Sequence, residues 1–226
     1  MAGGQDPTGN SDPWALISHG IAEKLFVVNE NDEIVPQIAD SVKKVEGIVQ
    51  EVELGEEPII WEVVLKPYKF SDGTSVTADH VVSCLTELNE KNPSASSSLG
   101  KMSLTAIDDL TLRIESERPT HVMDAVLAEW VFVIYYKDDD GNFIYTGPYK
   151  VDTFADDHID LSPNRFYDAQ SLDRPLIEIK KYATGEDLAK DAETGDIDIA
   201  FHLPIDTLPD LRKADGVSVK RYGDCL

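Results

Sequence analysis

Residues 61–92 read WEVVLKPYKFSDGTSVTADHVVSCLTELNEKN, a strand, a tight turn and a helix in one run. Trp61, Val63 and Leu65 alternate with Glu62, Val64 and Lys66, the period of a strand with at least one buried face. Ser71-Asp72-Gly73-Thr74 is a turn in which Gly73 takes positive φ at no steric cost. Thr77 is placed to cap the helix that follows, and Asp79 in its first turn suits the positive end of the helix dipole. Ala78, Val81, Val82, Leu85 and Leu88 fall on one helical face.

The 226 residues around this run suffice for one large domain or two small ones. Hydrophobic residues make up 42% and charged residues 28%, a balance that argues for a folded chain. Asp+Glu number 43 against Lys+Arg 20, a formal net charge of -23. Such a surface repels phosphate backbones and anionic headgroups, so nucleic-acid and peripheral membrane binding are disfavoured. Solubility is the simplest use of the excess, and attraction of cations or basic peptides is the more specific one. No apolar run approaches the ~20 residues of a membrane span.

Cys84 and Cys225 form neither a disulfide framework nor a C-x-x-C pair. The five histidines (His19, His80, His121, His158, His202) are scattered without metal-ligand spacing. The KDDDGN stretch, 137–142, has oxygens at alternate positions, but its glycine precedes Asn142 and no glutamate closes a calcium loop, so a hairpin turn is expected. No nucleophile elbow, Walker loop or dinucleotide fingerprint occurs. No catalytic residue, metal or cofactor is therefore expected.

Outward from the central run, residues 6–14 (DPTGNSDPW) read as a loop and 1–12 as a flexible leader. A helix is expected over 17–25, strands over 42–52 and 59–65 around a polar insert, and a low-complexity loop over 93–100. Residues 105–115 alternate as two short strands about Asp108-Asp109, and Pro119 suits the first turn of another helix. The apolar WVFVIYY, 130–136, has the length of a buried strand. A helix over 185–194 with Gly195 as its stop, a short helix over 208–214 and a strand over 217–221 complete the pattern.

The wording LKPYKFSDGTSVTADHVV, 65–82, resembles a segment of the family 5 extracellular solute-binding proteins of ABC importers, where it runs roughly L-R-x-x-V-K-F-S-D-G-T-P-V-T-A-D-D-V. NENDEIVPQIADS, 29–41, resembles another family stretch but lacks the glycine before its isoleucine. TGPYKV, 146–151, is similar to the family's G-T-G-P-Y-x-V. Asn164 and Tyr167 carry a further match, and GDIDIA, 195–200, resembles G-E-I-D-I-A. The likeness covers the chain from Asp6 onward, in the family's order.

That resemblance implies an α/β lobe of the type II periplasmic-binding-protein kind, a mixed β-sheet flanked by helices. Residues 13–226 are then one lobe, the N-terminal one, with the second absent and a secretion signal removed upstream. The implied function is capture of a peptide-like solute outside the cell, on the bacterial surface or in the periplasm, by a lipid-anchored monomer. The solute passes to a membrane permease. A nickel-chelate binder of the same family and the sensing domain of a regulator are the alternatives. Clefts of such proteins are lined by aromatic groups and a few placed polar ones, so Trp14, Ser18, Glu129 and Trp130 are the expected ligand contacts. Some nickel-chelate binders place an arginine near position 129. An acidic residue there, and serines at 94–98 where nickel binders carry an aromatic, both favour a peptide, whose amino group Glu129 would hold.

Overall fold

The computed structural model of the chain describes residues 5–9, 11–45, 59–116, 120–169 and 173–220. Its first helix, α1 (Asp12–Ser18), carries Pro13 in its first turn, where the missing N–H costs nothing, and stops before Gly20 at φ 70°. The helix expected over 17–25 therefore lies earlier, and Ile21–Leu25 runs without helical structure. β1 (Phe26–Val28) and β2 (Ile34–Pro36) form an antiparallel hairpin whose turn holds Asp32 at φ 61°. An aspartate tolerates that left-handed geometry, which is how the turn dispenses with a glycine.

β3 (Ala39–Lys44) ends before the strand expected to reach residue 52; the rest of that stretch and the polar insert lie outside the described residues. β4 (Ile59–Leu65) leads through the Gly73 turn, φ 97°, into α2 (Ala78–Lys91). Thr77 caps α2 as expected and shares a reciprocal capping box with His80. The loop expected over 93–100 is instead a helix, α3 (Pro93–Leu99). Serines are mediocre helix formers, but Pro93 opens the helix and the Asn92 carboxamide accepts from the Ser94 and Ala95 N–H groups.

β5 (Met102–Asp108) and β6 (Thr111–Ser116) make the expected hairpin. α4 (Met123–Leu127) follows, and Pro119 lies outside the described residues. Val131–Tyr135 is wholly buried, but only its end enters a strand, β7 (Tyr135–Lys137), paired with β8 (Phe143–Tyr145). Asp138 closes the turn between them, its carboxylate accepting from the N–H groups of Asp140 and Asn142. β9 (Tyr149–Phe154), β10 (His158–Pro163) and β11 (Ile177–Lys180) continue the chain. α5 (Gly185–Thr194) ends at Gly195, φ 78°, as expected. After a 3-10 turn at Ile205–Thr207 comes α6 (Leu208–Leu211), shorter than expected; residues 217–220 form no strand.

The chain divides into two compact units, residues 2–154 with 160–178, and residues 155–159 with 179–226. The larger holds the four-stranded sheet β3-β4-β6-β5, antiparallel throughout, so helices and strands mix in the fold while this sheet itself does not. Glu62 faces Lys43 on one side and Arg113 on the other, and pairs with both at 3.2 and 2.9 Å. α2 lies against β5, β6 and β7, burying Ala78, Val81, Cys84, Leu85 and Leu88; Val82 is only half-buried and Cys84 takes its place. In the smaller unit the Thr184 hydroxyl caps α5 and the Tyr182 hydroxyl donates to Asp191 at 2.6 Å.

Candidate ligand-binding site

The segment between α1 and β1 is the joint on which the expected site residues hang. Glu23 donates its N–H to the Thr146 hydroxyl and accepts at its carbonyl from Ile134. Lys24 bridges Val133 antiparallel, and Gly147 donates its N–H to the Ile21 carbonyl at 2.9 Å. A Cβ on Gly147 would stand 2.4 Å from the Ile21 carbonyl carbon, so only glycine allows this approach. The same backbone is held from its far side by buried Asn164, whose amide donates to the Gly147 carbonyl at 2.8 Å. Three of the sequence stretches singled out above thus meet here: TGPY and Asn164 directly, and the 65–82 run through Ser71, whose N–H donates to the Tyr145 carbonyl.

Trp14 projects from α1 with half of its surface exposed, and the Ser18 hydroxyl donates to the Trp14 carbonyl at 2.7 Å. Glu129 and Trp130 lie between α4 and the buried Val131–Tyr135 segment; Trp130 is 37% exposed. The Ser98 hydroxyl, on α3, donates to the Glu129 carboxylate at 2.5 Å. Asn92 at the head of α3 also donates to the Gly9 carbonyl at 3.3 Å, in the loop ahead of α1. A chain of contacts from Gly9 through Asn92 and α3 to Ser98 and Glu129 therefore links the two regions. Among the described residues, no hydrogen bond or ring contact joins Trp14 or Ser18 to Glu129 or Trp130 directly.

Two groups at this site escaped the sequence reading. The sequence of 93–100 reads as a loop, whereas Ser98 lies in α3, whose helical register aims it at Glu129. The half-buried Lys24 ammonium donates to the Ala128 carbonyl, one residue from Glu129; burial lowers its pKa while the neighbouring Glu23 raises it. A lysine next to apolar Leu25 and Phe26 is the available signal. Glu23 itself is pushed above the usual carboxylate range by burial, against the Tyr167 hydroxyl that donates to it at 2.8 Å.

A cavity of about 510 Å³ opens elsewhere, beside Tyr68 and Thr77 at the N-terminal end of α2, and none of the four expected residues lines it. Ser98 and Glu129 lie beyond the other end of that helix, which at 14 residues is about 21 Å long.

No curated protein matches the chain. Among solved structures, NikA from Staphylococcus aureus in complex with Ni(L-His)2 is 24% identical with a TM-score of 0.70, over 87% of this chain and 41% of that one. A nickel ABC transporter protein from Bacillus halodurans is 20% identical with a TM-score of 0.77, over 92% and 43%. OppA from Burkholderia pseudomallei is 18% identical with a TM-score of 0.67, over 94% and 46%. The chain spans less than half the length of each, and at these identities the likeness establishes the fold. The model of the bacterial extracellular solute-binding proteins, family 5, middle region, matches residues 33–224. With most of its length inside that match and the fold of such proteins around it, the chain belongs to family 5 of the bacterial extracellular solute-binding proteins.

Proposed function

We propose that this chain supplies one wall of the binding cleft of an ABC importer's solute-binding protein, and that the solute is peptide-like. The observation that carries the reading is the pair of exposed indoles, Trp14 and Trp130, on segments tied to one joint, with the Glu129 carboxylate beside Trp130. Exposed aromatics give a ligand broad apolar contact, and a carboxylate anchored by one hydroxyl keeps acceptor capacity for an ammonium group. Glu129 favours the cationic end of a peptide and disfavours the carboxylates of a metal chelate. Ser18 is the second polar contact on this wall. No catalytic role is assigned to any of the four.

Family membership supports the rest of the proposal. The protein works outside the cell, held at the membrane by a lipid, as a monomer that delivers its solute to a permease. Residues 13–226 act as the N-terminal lobe, and ligand contacts on two lobes favour a closed form in proportion to their differential affinity. One wall alone binds weakly, so calorimetry on the isolated chain should show no tight stoichiometric uptake of peptide. Native mass spectrometry of the full-length protein tests the ligand class. Co-purified peptides are expected; a nickel chelate in their place would overturn the peptide assignment.

A further inference from the structure

We propose that the cavity at the N-terminal end of α2 is a second small-molecule site, taking an aromatic carboxylate that also carries a hydrogen-bond donor. At about 510 Å³ it lies in the range of small-ligand pockets. Its aromatic walls are Tyr68, Phe166 and Tyr167, and each is held in place before any ligand arrives. The Tyr68 and Tyr167 rings meet edge to face, centroids 6.2 Å apart. The Tyr167 hydroxyl donates to Glu23 and accepts from Gln37 at 3.2 Å. Phe166 sits on the Gly73 turn, where a Cβ would come within 2.8 Å of its ring, and still keeps 38% of its surface exposed.

Charge decides the ligand class. The Lys69 ammonium lies 5.4 Å and the Arg165 guanidinium carbon 5.8 Å from the Phe166 centroid. Among the described residues neither cation has a carboxylate within ion-pair distance, although acidic residues outnumber basic ones 43 to 20. Lys43, Lys91, Arg113, Lys137 and Arg174 have one, whereas Lys44 and Lys66, among the described residues, do not. Lys69 lines the cavity and Arg165 stands at the same ring outside the lining, so both lend positive potential to an anion held against Phe166. Asp109 in the lining is the single acidic group there, and it selects a ligand whose other end donates a hydrogen bond. None of this involves Trp14 or Trp130, so the two sites are separable by experiment.

The test is an NMR titration of the chain with 4-hydroxybenzoate, compared with benzyl alcohol, which lacks the carboxylate. Saturable shifts are expected at the amides of 68–77 and 165–167, complete by about 10 mM ligand. The double variant K69Q/R165Q should weaken binding about fivefold or more, and W130A should leave it unchanged. Circular dichroism of K69Q/R165Q confirms its folding, and both changes are at exposed side chains. Absence of saturation, equal affinity for benzyl alcohol, or indifference to K69Q/R165Q would overturn the proposal.

Discussion

Gly147 has a hydrogen where any other residue would drive a carbon into the backbone of Ile21. The contact is between two backbones, so no side chain can swing aside to relieve it. Gly147→Ala should destabilise the fold by at least about 2 kcal/mol, read as a lowered midpoint in chemical denaturation. Titrating groups give a second expectation. Burial lowers the pKa of His19, and of His80, packed edge-on against Phe70, in spite of nearby Asp79 and Asp72. A histidine whose folded pKa is depressed contributes stability that is present above its ordinary value near 6.5 and lost as pH falls through it. Glu87 is raised by partial burial, but Lys137, Lys91 and the Tyr135 hydroxyl outweigh this and hold it at about 2. Its share is present above the ordinary carboxylate range and disappears only towards that lower pH. Thermal melts should therefore show a first loss on acidification below about pH 6.5, smaller in His80→Gln because only His19 then remains, and a second below about pH 4.5 that Glu87→Gln reduces.

At the scale of elements, legibility followed the source of the ordering. α2 was readable because its cap, its dipole charges and its apolar stripe are all local, and the same holds for α5 with Thr184 and Gly195 at its ends. The β5–β6 and β7–β8 hairpins were readable from their Asp-rich turns. α3 was not, because its order rests on Asn92, which is buried and tied to Gly9, 83 positions away in sequence. α1 was misplaced because Ile17, Ile21 and Leu25 sit at helical spacing while Gly20 breaks the run between them. The candidate contacts Trp14 and Trp130 could be named from residue type and resemblance, whereas the Ser98–Glu129 bond required the helix. Asn92→Ala should cost about 1 kcal/mol or more and loosen Ser98, which amide exchange across α3 would register. Leu85→Ala, in the stripe of α2 that faces the sheet, should cost roughly 2–5 kcal/mol in the same denaturation assay.

At the scale of the molecule, family membership sets the class of function and the sites set its particulars. In the larger unit the Ser98–Glu129 pair and the cavity beside Tyr68 stand at opposite ends of α2. The net charge of -23 agrees with the proposed cargo, whose positive end would meet Glu129. The central claim is that Trp130 and Glu129 touch the transported solute. It is tested most directly by calorimetric titration of a tripeptide into the full-length protein and into its Glu129→Gln and Trp130→Ala forms. The account predicts stoichiometric binding that weakens about tenfold in each variant with the fold intact; affinities equal to that of the unaltered protein in both would contradict it.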